Sequence, residues 1–428
     1  MQDTAKSTGG LGKKLASATE MLVGILVMPI AFIVAPRFVI NSFKPESYAT
    51  FSNPDYRDQI QFETVKTTPA IDRLTEVGQM VRDLIDDQDW VMLSDLLEEW
   101  DQSRASAPDG TRLARAALHM AAIELSQGMA GGNMCHPGDV PFISGEMLDH
   151  MEGVAALHPK CYPLAALCAY LQICRGWTHR GQDYAYSVSQ EGWAGMGKSF
   201  ERALWMLEPH DAETCNSPLL ASVRFELLAF MPDGHNHVHE FYRNWSRLDP
   251  TDHAPHAEYG FMMLPRWFGS YTLLEESAQK AFAATHNITG AAAYAAIYIK
   301  ALEYDVELLM YMDPDLFTKG INDLVTHAGA DPVLVASIAQ ELHMSSEIPL
   351  LSGLGKEQKK RIKEVGETLR RFSYHLARTR LSSIHPPSWD EGIDEALDFI
   401  SEDIRGEIMA GRRFTMGKNG IEMLPEMP

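Results

Sequence analysis

Residues 192–199 read GWAGMGKS and fit the phosphate-loop pattern G-x-x-x-x-G-K-[ST]. In that chemistry a hydrophobic strand runs into a glycine-rich loop whose N–H groups wrap the phosphates. A lysine then reaches the outer phosphates and a hydroxyl holds Mg²⁺. Gly192, Gly195 and Gly197 would allow the close approach, with Lys198 and Ser199 in the two side-chain roles. The lead-in YAYSVSQE is polar and ends in Glu191, a poor neighbour for phosphate. No alternation of strands and helices surrounds the match, although phosphate loops belong to α/β folds. The expectation is a glycine-rich turn entering the helix SFERALWML, with a nucleotide hydrolase as the rival.

The second candidate is DGHNHVHEFY, which carries His235, His237 and His239. On a strand all three imidazoles would share a face, whereas on a helix only His235 and His239 would. A zinc site needs three or four ligands in tetrahedral array, and Asp233, Glu240 or Cys215 could complete one. Against the metal site stands a polar helix start with Asp233 or Asn236 as cap. Five cysteines, Cys135, Cys161, Cys168, Cys174 and Cys215, form no C-x-x-C and are odd in number. That pattern argues against a disulfide framework and for a reducing compartment. Cys161 and Cys168 sit seven apart, as small apolar residues of one helix face would, and the cysteines of CYPLAALCAYLQIC read as core. No G-x-S-x-G, H-E-x-x-H or G-x-G-x-x-G occurs, so no cofactor is implied.

Aromatic and arginine side chains are the remaining source of specific contact. Trp177, Trp193, Trp245 and the pair Arg266–Trp267 are candidate anchors for a partner, because these types dominate binding hot spots. For Arg266–Trp267 the competing assignment is a structural turn between helices.

The elements that must carry these residues are helical. From residue 66 to 414, apolar residues recur at helical spacing between Pro, Gly and Asp punctuation. Helices are expected at 71–85, 146–157, 162–177, 199–208, 218–230, 237–248, 254–263, 271–285, 290–312, 315–328, 332–344, 356–384 and 389–411. Residues 200–214 align without gaps on 241–255, and both contain a leucine, an acid and a proline in series. Related endings stand at ALHPK (156–160) and YMDPD (311–315). A residue before proline is pushed out of the α region, so each ending is a built-in helix stop. The fold class is therefore all-α, a tetratricopeptide-like or related solenoid of helical hairpins.

Before this body come a flexible polar tail (1–20), an apolar run (21–40) and a linker (41–65); a C-terminal tail follows at 415–428. Residues 21–36 carry no charge and would make a helix of about 24 Å against a hydrocarbon core of about 30 Å. With its flanks the run reads as a membrane anchor, of an inner-membrane kind, whose orientation the few flanking lysines and arginines leave open. The net charge of −21 excludes general nucleic-acid binding and fits a basic protein or peptide partner. Positive charge is concentrated at 356–380, the expected solvated face of a long helix.

Residues 174–207, CRGWTHRGQDYAYSVSQEGWAGMGKSFERALWML, and 263–282, MLPRWFGSYTLLEESAQKAF, resemble a bacterial family known as domain of unknown function 4034. The resemblance covers about 149–285 and implies a helical, repeat-like architecture without catalytic residues. The combined expectation is a non-enzymatic, membrane-tethered helical repeat protein that binds a protein or peptide. A nucleotide hydrolase and a metal-binding helical protein are the alternatives.

Overall fold

The computed structural model describes residues 59–126, 142–181, 187–231, 233–346, 353–389 and 392–425. The run at 21–40 lies outside them. Among the described residues no helix is long and apolar enough to cross a membrane. The protein is all-α apart from one small sheet, with sixteen α-helices among the described residues. They divide into two units.

The first unit takes in 74–106 and 111–255. It contains most of α1 (Pro69–Asp86), then α2 (Trp90–Ser103), α3 (Leu113–Glu124), α4 (Gly145–Leu157) and α5 (Tyr162–Arg180). After these come α6 (Gln190–Leu207), α7 (Pro218–Glu226) and α8 (Gly234–Leu248). Helix α5 is the core: all but three of its residues are buried, as the CYPLAALCAYLQIC run requires of a helix apolar on every side. It packs against α2, α3, α4, α6 and α7. Cys168 and Cys174 lie inside it, and burial pushes the Cys168 thiol up to about 12 and the Cys174 thiol well above its usual value. The four described cysteines are free thiols.

The second unit takes in 59–73, 107–110 and the residues from His256 onward. Its helices are most of α9 (Ala254–Met262), then α10 (Tyr271–Thr289), α11 (Ala292–Leu302), α12 (Pro314–His327) and α13 (Pro332–Ser346). The long α14 (Lys356–Arg380), α15 (Ile393–Ser401) and α16 (Arg405–Met409) follow. Helix α11, AAYAAIYIKAL, is almost wholly buried and packs against α10, α12 and α13. Its alanines let neighbours come to backbone distance. A β-carbon on Gly260 of α9 would run into the Ile297 carbonyl oxygen. One on Gly320 of α12 would lie 2.7 Å from the Ala295 β-carbon. Two phenols of α11 are also tied to α10, since Tyr294 and Tyr298 both donate to Glu275 Oε2, at 2.8 and 2.5 Å.

Most expected helices are present, but 290–312 breaks into α11 and a 3₁₀ turn at Val306–Met310, 389–411 breaks into α15 and α16, and three further corrections apply. Helix α6 begins at Gln190, not near Ser199, because Ser189 caps it by accepting the Gly192 N–H at 3.0 Å. The YMDPD segment is not a helix ending: Asp313 is an N-cap, accepting the N–H groups of Asp315 and Leu316. The third correction concerns the linker and the C-terminal tail. Strands β1 (Ile60–Gln61), β2 (Phe414–Gly417) and β3 (Gly420–Met423) form a sheet, β1 parallel to β2 and β2 antiparallel to β3. Strands this short carry no legible alternation. The β2–β3 hairpin turns at Lys418–Asn419, with Gly420 at φ +88° in the left-handed region that glycine favours.

The glycine contacts generate a paired prediction. Gly260→Ala should destabilise the protein by about 1–3 kcal/mol or more, because a backbone carbonyl cannot swing aside. Gly153→Ala, inside α4 with open space around it, should stabilise by roughly 0.5–1 kcal/mol. Denaturant midpoints of the two variants, compared with the parent, check both signs.

Candidate functional site

The structure places GWAGMGKS wholly within α6. Residues 187–189, which lead into it, are not strand. From Trp193 onward its N–H groups are spent on helical hydrogen bonds, beginning with Trp193 to the Ser189 carbonyl at 3.1 Å. A cradle of free N–H groups is therefore absent from 192–199, and this corrects the nucleotide alternative on Gly192, Gly197, Lys198 and Ser199. Lys198 is exposed and Ser199 is buried. The glycines serve packing instead. A β-carbon on Gly195 would stand 2.7 Å from the His179 ring, one on Gly192 2.9 Å from the His179 carbonyl, and one on Gly197 3.0 Å from Phe230. Glycines on α6 let it lie against the end of α5.

His235, His237 and His239 fall in the first turns of α8. Successive helical residues are 100° apart, so His237 points away from the face shared by the other two. His237 lies 3.4 Å from Asp233 and 3.9 Å from Glu240, both exposed carboxylates of its own helix region. Among the described residues no three His, Cys, Asp or Glu side chains converge as metal ligands, and the helix sets His237 apart from His235 and His239.

The expected anchors are mostly committed to the interior. Trp245 is 2% exposed and packs on Phe225 with ring centroids 5.6 Å apart. Trp177 is buried too, against Phe200. The Arg180 guanidinium lies 5.7 Å from the Trp177 ring and 5.6 Å from that of half-buried Trp193. In the second unit Arg266 donates to the Tyr304 carbonyl at 2.9 Å and faces Asp305 at 3.5 Å. Trp267 packs on Phe261. Arg266 and Trp267 thus build the turn between α9 and α10, as the structural alternative had it.

The side chain that faces outward is one the sequence analysis passed over. In α6 the buried residues Met196, Ser199, Phe200, Ala203, Met206 and Leu207 form one stripe. Trp205 falls on the opposite side and is 55% exposed. The Arg202 guanidinium lies 3.9 Å from the centre of its ring, a cation–π stack. Arg202 is in turn clamped by Glu152 of α4, its Nε donating to the two carboxylate oxygens at 2.9 and 3.0 Å. Gln172 of α5 donates to Glu152 at 2.8 Å. Burial pulls the Glu152 carboxyl upward, but the hydrogen bonds from Arg202 and Gln172 outweigh it and hold the group below its ordinary range. The result is a pre-set aromatic surface: one indole, one guanidinium, and a charged support on the neighbouring helix.

A second cluster has the residue types of an active site. Asp101, Arg104, Arg112, Arg115, Asp249 and Asp252 border a small open recess with Trp100 and Trp245. Five of these six charges have a structural task. Asp101 accepts the Leu219 N–H at 2.9 Å at the start of α7 and the Tyr162 hydroxyl at 3.0 Å. Arg112, at the start of α3, holds Asp249 at the end of α8 through two bonds of 2.6 and 3.0 Å. Arg104, at φ +57°, closes α2 and donates to the Leu248 carbonyl and the Asn216 side chain. Asp252 accepts the Ala254 N–H at 3.0 Å. Burial pushes the carboxyls of Asp101 and Asp252 above the ordinary Asp range, against the pull of hydrogen bonds and nearby arginines. Perturbed acids in a cleft mark catalytic sites, and structural ion networks produce them as well. Here the arginines and carboxylates bind helix ends and one another, and the space left between them, about 20 Å³, has room for no more than a water-sized group, far below the size of a ligand pocket.

Asp252 makes that assignment testable. Between the ordinary Asp range and its raised value, the folded chain holds a proton that the unfolded chain has lost. Its contribution to stability therefore falls as pH rises through that window. Asp252→Asn cannot titrate, so its stability relative to the parent should rise as pH climbs above the ordinary Asp range. Urea denaturation of both chains across that range measures the trend, and a difference independent of pH would contradict it.

Compared with family models, curated proteins and solved structures, the chain matches none.

Proposed function

We propose that the protein is a membrane-tethered, non-enzymatic helical repeat protein whose body binds a protein or peptide partner through the surface centred on Trp205. The observation that carries this reading is the exposure of Trp205, stacked by Arg202 and set off the buried stripe of its helix. Exposing a large aromatic costs hydration and gains nothing in folding, whereas Trp and Arg dominate protein–protein hot spots.

A solenoid of hairpins fits the packing inside each unit. Helices contact the next helix and often the next but one, as α5 does with α6 and α7 and as α12 does with α14. Helices α6 and α8 end at Leu207 and Leu248, the same 41-residue offset as the sequence repeat. The resemblance of 149–285 to domain of unknown function 4034 supports the same architecture. The tether rests on the apolar composition of 21–40, which suits an inner membrane, and the side on which the body lies is open. Exposed acids at Asp83, Asp86, Asp87, Asp95, Glu98 and Glu99 favour a basic partner by long-range attraction.

Site-specific photocrosslinking from position 208, next to the Trp205 turn, should capture a discrete partner in the native host. Trp205→Ala in the same chain should weaken that capture by about 2 kcal/mol, roughly 30-fold, while thermal stability changes little. Equal capture with and without the indole would exclude Trp205 as the anchor.

A further inference from the structure

The geometry points to a second interaction surface, the exposed face of α14, which docks on anionic lipid headgroups. Seven Lys or Arg stand against three Glu over residues 356–371, in a chain whose net charge is −21. The helix is amphipathic in an unusual sense. Ile362, Val365, Leu369 and Leu376 are buried on one side. Lys356, Lys359, Lys360, Lys363, Arg370 and Arg371 are exposed, and at 100° per residue they cluster on the other side. Glu364 and Glu367 pair with Lys360 and Lys363 at 3.8 and 3.9 Å, both exposed i,i+4 pairs, and offset two of the six cations; the stripe keeps an excess of positive charge. Four of these cations crowd the first two turns, the positive end of the helix dipole, where cations weaken a helix. Folding gains nothing from that placement. An anionic surface beside it would be attracted by lysines and dipole together.

An acidic protein would also satisfy the charge; the position of the chain favours a membrane. Strand β1 pairs with β2, and the Val65 N–H bonds the Ile384 carbonyl just after α14 ends. The polypeptide that leads from the apolar run at 21–40 therefore joins the unit that carries the basic helix. The stretch from Ile40 to Ile60 reaches at most about 70 Å when fully extended. Helix α14, with 25 residues, is about 37 Å long, so its whole basic face lies within reach of a bilayer holding 21–40. A tether combined with a polybasic patch is a two-signal arrangement, each basic residue contributing roughly fivefold in partitioning at an anionic surface. This inference rests on the tether reading of 21–40, and the experiment reads the two separately.

The full-length chain is mixed with phosphatidylcholine vesicles, or with vesicles containing about one-third phosphatidylglycerol. Lysines are then acetylated and the extent at each position is read by mass spectrometry. Lys356, Lys359, Lys360 and Lys363 should be protected on anionic vesicles only, and exposed again near 0.5 M salt, where screening is short-ranged. A chain carrying Lys356→Gln, Lys359→Gln, Lys360→Gln and Lys363→Gln, checked for an unchanged melting temperature, should lose about 50-fold or more of the extra partitioning onto anionic vesicles. Sedimentation with neutral vesicles reports on the tether alone. Equal acetylation on both vesicle types overturns the inference, as does protection by soluble polyglutamate but not by anionic vesicles, which would assign the face to an acidic protein.

Discussion

A helix that is apolar on every side has to be covered on every side, and each unit of this protein is built around one such helix. Helices α5 and α11 can be enclosed because Ala, Cys and Gly recur along them and their neighbours, bringing backbones to contact distance. Such contacts tolerate no added carbon where the opposing atom belongs to the main chain, as at Gly260 against Ile297. The outer helices then have one face buried and one face exposed. Trp205 and the basic stripe of α14 occupy exposed faces of this kind.

Close packing sets how near the helices come, whereas charge sets how they are joined. In the first unit Asp101, Arg104, Arg112 and Asp249 connect helix ends distant in sequence. The Asp101 carboxylate completes the first turn of α7, a task usually left to a local cap, while Ser217 serves as that local cap as well. Removing one member of a buried pair leaves the other uncompensated, so the network confers geometry more than net stability. Its residue types resemble those of a catalytic cleft, yet Asp101, Arg104, Arg112 and Asp249 are each engaged in holding a helix end.

Helix positions were largely legible, because 3.6-residue periodicity and proline or glycine stops are local signals. The ends at Leu157, Leu207 and Leu248 follow directly from the proline two residues later. Trp205 was also within reach of the sequence: it stands off the stripe Met196–Phe200–Ala203–Leu207, which is the signal that separates a surface tryptophan from a core one. Trp177 and Trp245, by contrast, lie on buried faces and make poor anchors for that reason. The strands at the chain ends gave no such signal, because segments of two to four residues have no measurable period.

GWAGMGKS shows where the division falls. The sequence by itself determined an all-α class, the helix register and the charge of each face, since these depend on neighbours a few residues away. Whether three glycines make a phosphate cradle or a helix–helix contact depends on what lies opposite them. Only the tertiary structure supplied His179 and Phe230 there. It likewise decided that the histidines of α8 diverge and that Arg202 is braced by Glu152, fifty residues away in sequence. Contacts of that kind join residues that carry no shared local pattern, so no periodicity announces them.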